Sequence, residues 1–310
     1  MPKMSNCWSW IAGLCCVLSA GRAIAAEPEP AAVARPAVPL TSADWRSDLV
    51  LARTEMPRRH VNLFHTLSPA AYDTAFQRLL VDVDHLTEHE IIVRLAEIVA
   101  SVGDGHSRLT LPLDPSAGFF SGHTGTAASR TALFRQLPLR LTRTSEGYVV
   151  SRADEQLADL LGARVSSIDG QDPVAAETLL EPIVNRDNAH QLYDLLARFM
   201  VVPEVLHARA VSQSPDQVRW QFIDQSGQSR SVILRPVAVG ITPNWKSLPT
   251  VDWPAGFADR KAASLWFADI ADPDAVYLRV AEIADMPGQT FAAFAEAVET
   301  HLATTGRRRL

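Results

Sequence analysis

Asp104-Gly105-His106-Ser107 packs a carboxylate, an imidazole and a hydroxyl around one glycine. An imidazole titrates near pH ~6.5, in range for a general base, and a glycine turn between two domains is where clefts form. The plain alternative is a turn in which Asp104 bonds backbone amides and His106 caps a neighbouring segment. A second candidate is His85-Leu86-Thr87-Glu88-His89, which matches the H-x-x-E-H pattern of one group of zinc peptidases. Zinc needs both imidazoles on one helical face, yet Thr87 and Glu90 form a capping box that starts a helix between them. The zinc reading therefore ranks low, and neither a metal nor a cofactor is expected. No G-x-S-x-G elbow, S-x-x-K, phosphate-binding loop or G-x-G-x-x-G is present. A serine nucleophile, if there is one, is not marked by local sequence.

Composition narrows the chemistry further. The 310 residues are 47% hydrophobic and 21% charged, an ordinary globular balance. Lys+Arg of 29 against Asp+Glu of 35 gives a net charge of −6 with no basic half, so no nucleic-acid partner is expected. Lys3, the apolar run Trp8 to Leu18 and Ala23-Ile24-Ala25 read as a secretory signal over residues 1–25. The run is too short for a membrane span, and no later segment supplies one. Cys7, Cys15 and Cys16 all fall inside that signal, and neither Leu14 nor Cys15 is the small residue a lipoprotein signal wants. The mature chain is thus expected to be exported, periplasmic or extracellular, and without disulfides or thiolate metal sites.

The elements that must position these residues follow from periodicity. Residues 26–40 hold a Pro/Ala-rich tether. Residues 41–112 read as a helical domain of three helices: Pro57 ends the first, Ser68-Pro69 starts the second, and Thr87 caps the third. Residues 113–240 read as a mixed, β-rich module. Its strands lie near Leu137 to Leu141, Tyr148 to Ser151, Val165 to Ile168, Arg219 to Ile223 and Ser231 to Leu234, with a hairpin at Ser226-Gly227. Helices are expected over Val174 to Val184 and Ala189 to Met200. Within residues 241–310, Val276 to Val280 is a strand and Phe291, Phe294, Val298 and Leu302 mark one face of a helix stopped by Gly306. A strand and amphipathic helix normally return to a parallel strand, so the chain is expected to stop inside a βαβ unit. Arg307 to Arg309 read as the solvated end of that helix. The fold class is α+β and multidomain.

Several stretches, in order, resemble the tail-specific (C-terminal-processing) and tricorn-core serine peptidases. They are Trp45 to Leu51, His60-Val61-Asn62-Leu63-Phe64, Val102 to Leu109, Leu161 to Gly170, Asn188, and Val276 to Val280 with its helix. The resemblance implies a helical N-terminal domain, a partly PDZ-like middle module and the start of an α/β catalytic domain. It implies that His106 is the catalytic base, as in the tricorn-like branch, although Gly105 stands where that branch has a serine. It also implies a nucleophilic serine beyond Leu310, so that this chain alone is an incomplete, inactive serine peptidase whose full-length form cuts peptides or protein C-termini. The alternative is a non-catalytic exported protein that binds peptides or other ligands.

Overall fold

The computed structural model describes residues 40–114, 132–249, 263–270 and 274–309. The expected signal sequence, nearly all of the tether and all three cysteines lie outside the described residues. The chain divides into two compact units, residues 1–248 and 249–310. Both fit an α+β class.

In the first unit, helices α1 (Ser42–Arg59), α2 (Pro69–Asp82) and α3 (Glu88–Ala100) come first. Thr41 and Asp44 form a reciprocal capping box on α1, and Thr87 and Glu90 another on α3, each satisfying amides that a helix start leaves open. Ser68 caps α2 with Pro69 in its first turn. Pro57 does not end α1 but lies inside it. Proline removes one helical amide, and the carbonyl four residues back, that of Arg53, instead accepts a hydrogen bond from the Tyr72 hydroxyl at 3.1 Å. A side chain of α2 thus completes the last turn of α1.

Strands β1 (Leu139–Thr144), β2 (Gly147–Asp154) and β3 (Arg164–Ile168) follow, then α4 (Pro173–Leu180), α5 (Ala189–Phe199) and the short α6 (Pro203–Ala208). After these come β4 (Val218–Ile223), β5 (Ser229–Leu234) and β6 (Trp245–Ser247). The sheet is antiparallel in the order β1-β2-β3-β4-β5, with β6 pairing the far end of β2. Gly227, at a φ of 83°, makes the hairpin from β4 to β5 in a conformation that favours glycine. Phe76, Val93, Leu137, Val150, Ile168 and Trp220 are all fully buried in one core shared by helices and sheet. Burying each such side chain is worth about 1.5–3 kcal/mol. Short α6 and β6 carry too few residues to show a period in sequence.

The second unit, described by itself, pairs β7 (Leu265–Asp269) antiparallel with β8 (Val276–Val280) and packs them on α7 (Phe291–Thr305). Phe294 and Val298 are buried on the expected face of α7, and Gly306 ends the helix at a φ of 68°. The chain then makes a parallel bridge from Arg309 to Ala275, with the Val276 amide donating to the Arg309 carbonyl at 2.9 Å. Arg308 and Arg309 are exposed as expected, but Arg307 is not. Arg307 pairs with Asp269 at 3.1 Å and donates to the Ala275 carbonyl at 2.7 Å, because the chain turns back onto the strands. Among the described residues, no helix is long and apolar enough to cross a membrane.

Candidate functional site

The Asp104 to Ser107 turn sits where α3 gives way to the extended segment that leads towards the sheet. Gly103 reverses the chain at a φ of 77°, and a β-carbon there would come within 2.7 Å of the Thr66 hydroxyl oxygen. Beyond it, Asp104 gathers donors: the His106 amide reaches its Oδ1 at 2.8 Å and the Ser107 hydroxyl its Oδ2 at 2.8 Å. His60, the C-cap of α1, brings Nε2 within 3.3 Å of the same Oδ2 and 2.9 Å of the Ser107 oxygen. Burial would raise the Asp104 pKa, but the His106 amide, the Ser107 hydroxyl, the His60 ring and the charge of His106 together hold it down to about 2.

The proton arrangement in this knot decides what Ser107 can do. His60 Nδ1 accepts from the Asn62 amide at 3.1 Å, so the ring proton is on Nε2 and points at the Ser107 oxygen. Ser107 gives its own proton to Asp104. Its proton goes to a carboxylate whose pKa is held down to about 2, too weak a base to activate it, so Ser107 is a buried structural hydroxyl.

His106 is placed differently. Its side chain is 83% exposed, with Nδ1 at 3.5 Å from Asp104 Oδ1 and 3.6 Å from Asp187 Oδ2. Asp187 comes from the segment before α5, where its Oδ1 accepts from the Gly105 amide at 2.7 Å. Asn185, in the same segment, donates to the Gly105 carbonyl at 2.6 Å. Gly105 is needed for this clamp, since a β-carbon there would lie 2.4 Å from Asp187 Oδ2. The space that a serine would take at this position holds a carboxylate instead. The result is an imidazole with Nδ1 turned to two carboxylates and the remainder of the ring in solvent, a geometry suited to a proton acceptor at Nε2. Among the described residues, no hydroxyl lies within hydrogen-bonding reach of His106.

One nitrogen of His106 and one oxygen each of Asp104 and Asp187 lie within 4.8 Å of one another, close enough to share a cation. Both carboxylates, however, already accept backbone amides, and neither needs a metal to explain its position. The zinc pattern is not assembled. His85 is exposed in a single 3-10 turn, while His89 lies in α3 with Nε2 2.8 Å from the Leu133 carbonyl. The capping box separates them as the spacing predicts.

Asn188, singled out in sequence, is the N-cap of α5 and accepts from the Gln191 amide at 2.9 Å. His60, Asn185 and Asp187 carried no signal as site residues. The run of four polar residues from Asn185 to Asn188, directly before an amphipathic helix, is the feature that could have marked the last two.

A groove lies some distance along the same unit. Leu141 to Thr144 of β1, an edge strand among the described residues, and Ser145 just after it face His190, Tyr193, Asp194 and Ala197 of α5 across a cavity of about 520 Å³.

No family model matches this chain, and no curated protein does. Solved structures of CPAF are similar in part. Mature CPAF complexed with lactacystin gives a TM-score of 0.43 at 12% identity, covering 64% of this chain and 36% of that one. Mature CPAF gives 0.40 at 11% identity over the same shares. A CPAF mutant gives 0.39 at 13% identity, covering 64% and 35%. The chain therefore spans little more than a third of the length of the CPAF chains it is compared with.

Proposed function

We propose that this chain carries the base side of an exported serine peptidase site of the tail-specific or tricorn type. His106 is the general base and peptides or protein C-termini are the substrate. The observation that carries this reading is the placement of His106. Its ring is exposed and its Nδ1 faces the Asp104 and Asp187 carboxylates, which orient the ring and favour the imidazolium formed when Nε2 takes a proton. The attacking serine belongs outside the described residues, since the described hydroxyl nearest in sequence, that of Ser107, is committed to Asp104. A backbone oxyanion hole is needed beside that serine.

The test is labelling by a serine-directed fluorophosphonate, together with peptide hydrolysis. The 310-residue chain is compared with a version extended through the downstream reading frame, each with and without His106→Ala. Labelling of the extended form, falling by orders of magnitude in the H106A variant, is the expected result. If both forms stay unlabelled, the peptidase reading fails.

The groove between β1 and α5 favours a second reading, an exported peptide-binding protein. An unpaired strand edge beside a helix can accept an extended peptide as an added strand, with side-chain pockets for alternate residues. Peptide binding weakened by Tyr193→Ala, in a chain that melts cooperatively and never labels, would establish it.

A further inference from the structure

The carboxylates beside His106 are set in place by groups other than its ring. Asp104 is fixed by the His106 amide, the Ser107 hydroxyl and the His60 ring. Asp187 is fixed at Oδ1 by the Gly105 amide, and its own amide donates to Gln191 Oε1 at 2.8 Å. Its other oxygen, Oδ2, is turned to His106. A ligand set that backbone amides have already positioned needs little rearrangement to take a cation.

The spacing of the three groups fits a cation better than it fits hydrogen bonds. From His106 Nδ1 it is 3.5 Å to Asp104 Oδ1 and 3.6 Å to Asp187 Oδ2, longer than an N–H···O bond. Neighbouring ligand atoms around tetrahedral zinc, with bonds of about 2.0 Å, lie about 3.3 Å apart. One imidazole and two carboxylates supply three ligands, the two negative charges balance a divalent ion, and the exposed side of the ring leaves a fourth position to water. An imidazole nitrogen in the set favours zinc over calcium or magnesium, which prefer oxygen alone.

We propose that His106 Nδ1, Asp104 and Asp187 form a zinc site that switches off the base. The switch rests on the reading of His106 as general base, whereas the binding site does not. A neutral imidazole has one proton and one lone pair on its two nitrogens. Zinc on Nδ1 takes the lone pair there, so the ring proton must sit on Nε2. Nε2 is then a donor and cannot accept a proton from a serine. Release of zinc frees the ring to carry its proton on Nδ1 and to act as a base at Nε2.

The test is long-range ¹H–¹⁵N NMR of the 310-residue chain labelled with ¹⁵N-histidine and titrated with zinc chloride. Cys7, Cys15 and Cys16 are alkylated beforehand so that no thiolate competes for the metal. Saturable shifts of His106, with zinc on Nδ1 and the proton on Nε2, are expected. Asp187→Asn keeps an oxygen for the Gly105 amide but loses the ligand oxygen, and should weaken binding roughly tenfold or more. Zinc on Nε2, an equal response to calcium chloride, or equal affinity in D187N would overturn the site. If D187N does not fold, the nitrogen that zinc takes in the wild type decides alone. In the form extended through the downstream reading frame, saturating zinc should slow fluorophosphonate labelling by orders of magnitude. Unchanged labelling with zinc bound at His106 would overturn the switch. An extended form that never labels counts against the peptidase reading and the switch together, while the NMR titration still judges the site.

Discussion

Asp104 is held by three donors from three different residues, and its depressed pKa makes that a statement about stability. A carboxyl whose folded pKa is about 2, against an ordinary value of 3.8, favours the folded state above pH ~4 and loses that contribution as pH falls through about 2. The shift corresponds to about 2 kcal/mol at neutral pH. Asp104→Asn should therefore lower the urea-unfolding free energy by about that much at pH 7, while the gap to wild type closes towards pH 2. Unfolding curves at four or five pH values check both halves. At position 105, Gly105→Ser should displace Asp187 and weaken labelling of the extended form, with KM changing less than kcat. Of this site the sequence makes His106 and Asp104 visible, because they lie in one short motif. It hides His60, 44 residues from Asp104, and Asp187, 82 residues from Gly105, since a local pattern cannot show which distant side chains converge.

Capping residues made two helix starts legible, since Ser68 and Thr87 bond the amides their spacing predicts; Thr41, Asn188 and Thr290 cap α1, α5 and α7 in the same way without having been read so. The end of α1 was not legible, since a proline normally stops a helix and the rescuing hydroxyl comes from another element. Tyr72 is the test of that account. Tyr72→Phe keeps the ring among Phe76 and Phe64 but leaves the Arg53 carbonyl without its donor, and should cost about 1–2 kcal/mol. Loss of the last turn of α1 in the variant's amide exchange, with α2 unaffected, would locate the effect. A variant as stable as wild type would mean that water replaces the hydroxyl. Arg307 teaches the reverse lesson. A charge run looks solvated in sequence, and only the return of the chain onto β7 and β8 gives Arg307 a carboxylate and a carbonyl to bond.

The two units differ in how much core they own. The first shares one large core between three helices and a six-stranded sheet, whereas among the described residues the second buries Leu265, Phe294 and Val298 as its cluster. Small cores close weakly and open often. Amides of β7, β8 and α7 should accordingly exchange with solvent orders of magnitude faster than those of α3, and hydrogen-exchange mass spectrometry of the 310-residue chain measures this directly. Equal protection in both units would contradict it. The α+β class and most of the strands were readable from periodicity. The sharing of one core was not, because it depends on contacts such as the Leu137 amide on the Val201 carbonyl, far apart in the chain.

Gly105 has a consequence for biosynthesis. Because the carboxylate against it arrives from residue 187, the surroundings of His106 stay unfinished until β1, β2, β3 and α4 have left the ribosome and folded. The first hundred residues can make their helices early, from local contacts. The imidazole acquires its second carboxylate only late, which builds a delay into the assembly of any reactive centre. An immature chain would carry the histidine without its full orientation.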